Sequence, residues 1–398
     1  MGWPPHDRHP GARMIQPLIA GVVGAAIAFA STFAIVLAGL TAMGATPAEA
    51  ASGLLALCLV QGILAAVLSW RYRQPLSFAW STPGAALLVA AHGSAATFQA
   101  AVGAFLVCGV LLLVTGLWPA LGRLVGRIPS PLAGAMLAGI LFPLCIAPVS
   151  AAVSLPAFAL PVIVVWLVLY RLAPRWAVPA ALVVAVIGMV IASSGAPFDD
   201  ADGVLPALIP QVPVFDPLVI VSVALPLYIV TMASQNIPGF AILKTFGYTD
   251  VPARPVLVGA GVASLLAAPF GGHAVNLVAL SAGMTAGPDA HPDRSKRWVS
   301  SLSSAAVYIV LGLFAGAAAA FIRNAPPELI ATVAGLALIG AFLTGVTAAF
   351  EDAPLRVPAA ITFLVVASGV VIAGIGSAFW GLGAGLLVWG WLGVKRRG

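Results

Sequence analysis

The chain has 398 residues, of which 61% are hydrophobic and 8% are charged. A soluble globular domain carries about a quarter charged residues, so this composition indicates a protein that lies in a bilayer. The formal net charge is +6, and the basic residues behind it are scattered over short loops. This distribution argues against a nucleic-acid-binding patch and is better explained by the orientation of the protein in the membrane. Cys58, Cys108 and Cys145 each lie in an apolar run, so we expect no disulfide framework, metal site or cofactor.

Fourteen apolar segments are predicted to enter the membrane. A spanning helix needs about 20 residues, and a shorter segment crosses only where protein buries its irregular backbone. The first seven cover residues 14–42, 48–70, 77–91, 95–118, 130–147, 156–172 and 178–194. The second seven cover residues 217–238, 253–269, 270–287, 297–322, 327–350, 357–374 and 376–394. Two similar halves with an odd number of segments insert in opposite orientations, so we predict an all-α membrane protein with a seven-plus-seven inverted repeat.

The basic residues support this count, because lysine and arginine accumulate in cytoplasmic loops. With the N-terminus inside, 17 of the 18 basic residues fall on the cytoplasmic side, and Arg323 is the exception. The predicted organisation is a cytoplasmic N-terminus (1–13), a first repeat (14–194), an external linker (195–215), a second repeat (216–394) and a cytoplasmic C-terminus (395–398).

The third segment of each half is broken by residues that stop helices. Residues 78–84, FAWSTPG, predict a short strand at 78–80 and then a half-helix whose start at 81–84 has a capping hydroxyl and Pro83 near the first helical position. In residues 270–276, FGGHAVN, we expect extended backbone to Gly272 and His273 and an opposing half-helix that starts at 274–276. The positive ends of two half-helices can bind an anion without a basic side chain. Close helix packing is the other explanation for these glycines.

Few polar side chains are placed at membrane depth. All twelve carboxylates lie in loops or at segment ends, which favours an anion site over a cation site. His273 is the candidate proton carrier because histidine titrates near neutral pH, although a neutral histidine bonded to backbone would also explain it. A polar stripe on the eighth segment comprises Tyr228, Ser234, Gln235 and Asn236. It suits a carboxylate, and helix-to-helix bonding is the alternative.

Two stretches carry a family resemblance. Residues 231–248, TMASQNIPGFAILKTFGY, and residues 265–293, LLAAPFGGHAVNLVALSAGMTAGPDAHPD, closely resemble the benzoate/proton symporter family of bacterial inner membranes, called BenE-type. That family is similar in architecture to nucleobase, ascorbate and sulfate transporters. The resemblance implies a core of segments 1–4 and 8–11, a gate of segments 5–7 and 12–14, and a substrate between them. In nucleobase relatives acids hold the substrate on the eighth and tenth segments, whereas this chain has Gln235, His273 and Asn276 there.

The expected activity is therefore import of benzoate or a related aromatic carboxylate with a proton across the inner membrane. The carboxylate is expected to face the half-helix starts at 82–85 and 274–276, and the ring to pack on aromatic side chains. The candidate substrate-binding residues are Ser81, Thr82, Gly84, Ala85, Tyr228, Gln235, Asn236, Gly272, His273 and Asn276, with Phe33, Phe78 and Phe270 for the ring.

Three other expectations remain open. An anion channel, a uniporter or a transporter of another small organic anion would fit the same architecture. An enzyme is not expected, because no nucleophile, base and orienting group occur together. Related architectures often dimerise, which makes a homodimer an expectation without a legible interface.

Overall fold

The computed structural model describes residues 10–95, 97–192, 206–279, 282–324 and 326–394. In these ranges eight helices are long and apolar enough to cross a membrane, and shorter apolar helices lie among them. The ends predicted to be cytoplasmic lie mostly outside the described residues, as does much of the predicted linker. The multi-pass character predicted from composition is confirmed.

The described part of the first half contains eight α-helices and one strand. They are α1 (Pro10–Ala42), α2 (Pro47–Tyr72), β1 (Phe78–Trp80), α3 (Thr82–Ala90), α4 (Phe98–Leu117), α5 (Pro119–Val125), α6 (Ser130–Ser154), α7 (Pro156–Leu172) and α8 (Ala177–Ala192). Local capping sets several of these starts. Thr46 and Glu49 form a reciprocal capping box at the start of α2, and Thr97 caps α4.

The second half repeats this order. It comprises α9 (Pro217–Thr245), α10 (Ala253–Ala267), β2 (Val275–Leu277), α11 (Ala282–Ala286), α12 (Trp298–Gly312), α13 (Ala315–Asn324), α14 (Pro327–Glu351), α15 (Arg356–Ala367) and α16 (Ser377–Val394). Two π-helical turns interrupt α9, at Ile220–Ala224 and at Met232–Asn236. Each half therefore carries a short strand followed by a short helix in its third segment.

The helices pack in two groups. In the first group α4 packs on α10, α2 on α12, and α1 on both α3 and α12. In the second group α6 packs on α14 and α15, α15 on α16, and α7 on α8. The α6–α14 crossing is close because it is glycine-lined: a Cβ on Gly134 would lie 2.8 Å from the Ala348 Cβ and 2.8 Å from the Gly345 carbonyl oxygen. Small residues at such crossings let helix backbones approach each other in membranes.

The two broken segments meet in an antiparallel ribbon. Phe78 pairs with Leu277, Ala79 with Asn276 and Trp80 with Val275. Hydrogen bonds from the Ser81 amide to the Ala274 carbonyl (2.9 Å) and from the Val278 amide to the Ser77 carbonyl (3.0 Å) extend it. Since unpaired backbone groups are costly where water is absent, this pairing is what permits non-helical backbone at this depth.

The predicted start of the second half-helix is wrong. Residues 274–276 do not begin a helix: they lie in or beside β2, and α11 begins only at Ala282. Three acceptors hold the extended conformation. They are the backbone of β1, the Ser264 hydroxyl, which accepts from the Val275 amide at 2.9 Å, and the Asn236 Oδ1, which accepts from the Leu277 amide at 3.0 Å. The predicted strand at 78–80 and half-helix from Thr82 are confirmed.

Four segment boundaries also differ from the sequence prediction. The eleventh segment is not continuous to residue 322, because α12 ends at Gly312 and α13 begins at Ala315. The equivalent short helix α5 follows α4. Helix α15 ends at Ala367 rather than 374, since a turn with left-handed residues Gly369, Ala373 and Gly374 follows. Helices α6 and α9 end at Ser154 and Thr245, later than the predicted ends at residues 147 and 238, and they continue through internal prolines.

The described part of the linker forms hydrogen bonds to both halves of the chain at one end of the first group. The Gln211 amide donates to the Pro269 carbonyl (2.7 Å), and the Val214 amide donates to the Gln99 carbonyl (2.9 Å). The Gln211 side chain donates to Glu49 at 2.9 Å. The starts of α2 and α4 and the end of α10 therefore share this end of the molecule.

Candidate functional site

A cavity of about 290 Å³ lies between the two helix groups. Its volume is at the lower end for small-molecule sites, which favours a ligand smaller than a typical drug. The first group contributes α3, α9 and the chain after β2, and the second group contributes α6 and α14. The lining residues are Pro83, Ser130, Ala133, Gly134, Leu137, Ala233, Ser234, Gln235, Pro238, Ile242, Ala279, Ala341, Thr344, Gly345 and Ala348. None of these lining residues is charged.

The start of α3 reaches this cavity at Pro83, but its amides are mostly occupied. The Gly84 amide donates to the Ser81 hydroxyl at 3.1 Å, and the Ala85 amide donates to the Ser81 carbonyl at 2.8 Å. Pro83 has no N–H. Among the described residues the Thr82 amide is therefore the donor of this first turn that has no acceptor. The positive end of the helix remains available, but it offers fewer direct hydrogen bonds than expected.

Ser81 also ties α3 to α9. The Thr231 hydroxyl donates to the Ser81 hydroxyl at 2.8 Å, and both side chains are fully buried. A Cβ on Gly84 would lie 2.5 Å from the Leu227 Cδ1 of α9. Gly84 therefore serves close packing of α3 on α9, and Ala85 is likewise buried inside the first group.

The second π-helical turn of α9 directs two neighbouring amides to different places. Gln235 lines the cavity, and its Oε1 accepts from the Ala279 amide at a long 3.4 Å. Asn236 points away from the cavity and bonds to the Leu277 amide and to the Met232 sulfur. Such π-helical turns occur frequently at functional sites, because the extra residue re-orients side chains.

His273 does not line the cavity. Its side chain is fully buried in the first group, and its ring lies edge-on to Phe105 of α4, with centroids 6.4 Å apart. Neither ring nitrogen has a hydrogen-bond partner among the described residues. The adjacent Gly272 is packed, since a Cβ there would lie 2.6 Å from the Ala267 Cβ. Asn276 is buried as well and donates to the Leu277 carbonyl at 2.9 Å.

The aromatic candidates also lie outside the cavity lining. Phe33 stacks on Phe29, with centroids 5.4 Å apart, and Phe78 is buried in β1. The Phe270 carbonyl accepts from the Ser52 hydroxyl of α2 at 2.9 Å. The Tyr228 hydroxyl bonds to the Thr115 hydroxyl at 2.6 Å. The structure thus brings Gln235, its neighbour Ser234 and the α3 start together and leaves the other candidates elsewhere.

Sequence reasoning missed the second wall of the cavity. Ser130, Gly134, Thr344 and Gly345 come from α6 and α14, neither of which supplied a candidate residue. A signal was present, because α6 reads SPLAGAMLAG and α14 reads LIGAFLTG, with small residues at the spacing that lets helices approach closely. No group of three or more metal-ligating side chains occurs among the described residues.

The sequence matches known proteins over most of its length. A family model described as "Benzoate membrane transport protein" matches residues 13–390. The chain is 38% identical to "Inner membrane protein YdcO" of Escherichia coli (strain K12) over 370 residues, 92% of this chain and 93% of that protein. It is 34% identical to the "Benzoate membrane transport protein" of Acinetobacter baylyi (strain ATCC 33305 / BD413 / ADP1) over 324 residues, 81% of each.

Solved structures share the fold. The transmembrane domain of the cyanobacterial bicarbonate transporter BicA matches with a TM-score of 0.60 and 20% identity, covering 93% of this chain and 97% of that chain. SLC26A9 matches with a TM-score of 0.64 and 14% identity, covering 98% of this chain and 66% of that chain. These matches confirm the predicted all-α seven-plus-seven inverted repeat.

Proposed function

The chain belongs to the benzoate membrane transport protein family, and from that membership we propose that it is a secondary transporter importing benzoate or a related aromatic carboxylate with a proton. The observation that carries the proposal is the uncharged cavity between the two helix groups, where a broken segment meets α6 and α14. The names of the relatives point to a transporter rather than an enzyme.

The proposed working parts follow the two groups of helices. The core comprises segments 1–4 and 8–11, and the gate comprises segments 5–7 and 12–14. The cavity lies on the boundary between them, so movement of the gate against the core would expose it to one side and then to the other. We place the protein in the bacterial inner membrane with both termini in the cytoplasm, because that orientation puts nearly all basic residues inside.

The two ends of the substrate would meet different surfaces. The carboxylate is placed at the α3 start, which reaches the cavity at Pro83 and carries the positive helix end, and beside Gln235, whose amide can donate. The ring is placed against the small residues of α6 and α14, chiefly Gly134 and Gly345. Because glycine has no side chain, these residues leave room for a ring. An inorganic anion would leave that apolar surface unused.

Reconstituted protein tests the substrate and the coupling together. Labelled benzoate uptake is measured in liposomes under an imposed membrane potential, with protein-free liposomes as control because benzoic acid itself permeates. We expect saturable uptake that an inside-positive potential does not accelerate, since a proton neutralises the carboxylate. Acceleration by an inside-positive potential would instead identify a channel or uniporter for the anion. A thermal-shift screen against benzoate, uracil and sulfate tests the substrate alone, because a ligand of the folded state raises its stability.

A further inference from the structure

A second cavity opens on the lateral surface of the helix bundle. It has a volume of about 520 Å³ and lies between α4, α5 and α9 of the first group and α16 of the second. Its lining is apolar apart from Tyr228 and Arg127, and it includes Leu111, Leu124, Leu382 and Leu386. The Tyr228 hydroxyl is already bonded to Thr115 at 2.6 Å. We call this cavity, with Arg127 at its end, the lateral groove.

The length of the lateral groove is about half the thickness of the hydrocarbon core of a bilayer. On α16 its lining extends from Ala378 to Trp389, which is about 17 Å at 1.5 Å per residue. The hydrocarbon core of a bilayer is about 30 Å thick, so the groove is as long as one leaflet. Its dimensions therefore suit an acyl chain that enters from one side of the membrane.

Arg127 lies at one end of this groove. Ser222 near the start of α9 donates to the Gly374 carbonyl just before α16, so α9 and α16 start at the same end of the bundle. A Cβ on Gly103 of α4 would contact the Val214 carbonyl before α9, so α4 starts there too. Arg127 follows α4 and α5 and thus lies at the other end, towards Trp389. It is exposed and forms no ion pair among the described residues.

We propose that the lateral groove binds an anionic phospholipid, with one acyl chain in the groove and the phosphate on Arg127. An apolar channel one leaflet long that ends in a single unpaired cation matches both parts of such a lipid, and basic pockets between membrane helices bind anionic headgroups for this reason. The lipid contacts helices of both groups. Because the groove is bounded by both groups, a lipid that fits one arrangement of the two groups better than another would shift their populations towards that arrangement.

Two variants test the two ends of the lipid. Arg127→Gln removes the cation, with Arg123→Gln as its matched control, because Arg123 is exposed on α5 and does not line the groove. Gly383→Leu fills the groove: a Cβ at Gly383 meets no atom within 4 Å, so the side chain enters open space. Gly390→Leu is its control, since Gly390 lies on the same helix, also has no atom within 4 Å and does not line the groove.

Native mass spectrometry of protein extracted from mixed phosphatidylglycerol and phosphatidylcholine membranes measures the bound lipid directly. We expect wild type and both controls to retain one phosphatidylglycerol in preference to phosphatidylcholine. Retention should fall about fivefold in Arg127→Gln, because one basic contact to an anionic headgroup is lost, and should be abolished in Gly383→Leu. This readout needs no substrate, so it is independent of the proposed transport of benzoate.

Transport provides the second readout. The rate at which labelled benzoate exchanges for unlabelled benzoate is measured in phosphatidylcholine liposomes with and without added phosphatidylglycerol. The added lipid should change this rate for wild type and should not change it for Gly383→Leu.

Equal retention of the two lipids by wild type would overturn the role of Arg127. Undiminished phosphatidylglycerol retention by Gly383→Leu would overturn the groove as the binding site, as would finding the groove covered by a second copy of the chain in cross-linking.

Discussion

The adjacent residues Gln235 and Asn236 have different roles: one lines the cavity and the other supports the β2 backbone. Both were expected to contact substrate as one polar stripe. In the structure only Gln235 reaches the cavity, while the Asn236 Oδ1 accepts from the Leu277 amide at 3.0 Å and holds β2 in place. Substitutions at the two positions are therefore expected to change different measurements.

Replacement of Gln235 by leucine should weaken benzoate binding. A hydrogen bond to a charged group contributes about 1.5–3 kcal/mol, so the Kd should rise roughly 10- to 150-fold. The measurement is a titration of the purified variant by thermal shift or calorimetry. Gln16→Leu is the control, because Gln16 is exposed on α1 outside the cavity. Wild-type affinity in a folded Gln235→Leu would remove this side chain from the site.

Asn236→Leu should instead lower the thermal unfolding temperature. The change leaves the buried Leu277 amide without its acceptor, at a cost of about 1–3 kcal/mol. Unfolding in detergent is followed by intrinsic fluorescence. An unchanged unfolding temperature together with weakened benzoate binding would return Asn236 to the binding residues.

His273 remains the predicted proton carrier, although it lies off the cavity. His273→Gln should keep benzoate affinity within about tenfold of wild type and lose uptake driven by a pH gradient, because glutamine cannot become charged. Exchange of labelled for unlabelled benzoate should survive. His92→Gln is the control, since His92 is exposed at the end of α3. Uptake with an unchanged pH dependence in His273→Gln would mean that the proton crosses as part of benzoic acid.

At the scale of elements, the α6–α14 crossing forms one wall of the cavity and depends on two glycines. Gly134→Ala should destabilise the protein by about 1–3 kcal/mol, because the added Cβ would lie 2.8 Å from Ala348. Gly340→Ala on α14 is the matched control. A Cβ there meets no atom within 4 Å, so alanine should be neutral or stabilising by up to about 1 kcal/mol. Equal unfolding temperatures for the two variants would contradict a packed crossing.

The two broken segments also show which elements the sequence could predict. The strand and half-helix at 78–90 were predicted correctly because their signal is local: Ser81 caps the helix and Pro83 follows in its first turn. The counterpart was misplaced because its conformation depends on distant partners. Val275 and Leu277 are extended because Ser264 and Asn236 accept their amide hydrogen bonds and because β2 pairs with β1. None of these contacts is encoded in residues 270–276 alone.

Only one wall of the site could be predicted, because only that wall has a local signal in the sequence. The α3 start and Gln235 stood out because a cap and an isolated amide are visible along the chain. The opposing wall of small residues on α6 and α14 is indistinguishable in sequence from ordinary helix packing. Likewise, the π-helical turn that contains Gln235 and Asn236 has no strong sequence signature, so the two amides were assigned one role.

On the scale of the whole molecule, one ion pair among the described residues joins the two helix groups. Arg175, between α7 and α8, lies 3.3 Å from Asp289, which follows α11, and both side chains are mostly exposed. Exposed pairs contribute about 0.2–1 kcal/mol, so Arg175→Asp should change the transport rate by about fivefold or less. Adding Asp289→Arg should restore it. Arg171→Gln on α7 is the control, and failure of the swapped pair to restore the rate would exclude a direct coupling.

The pairing of β1 with β2 has a consequence for biosynthesis. The ribosome completes Trp80 well before its partner Val275, and at roughly 5–20 residues per second the interval of about 200 residues lasts roughly 10–40 s. During that time the strand 78–80 has no partner, and each unpaired backbone group in hydrocarbon costs several kcal/mol. The third segment must therefore wait at the membrane surface or inside the insertion machinery, and it enters its final depth only after the second half has been synthesised.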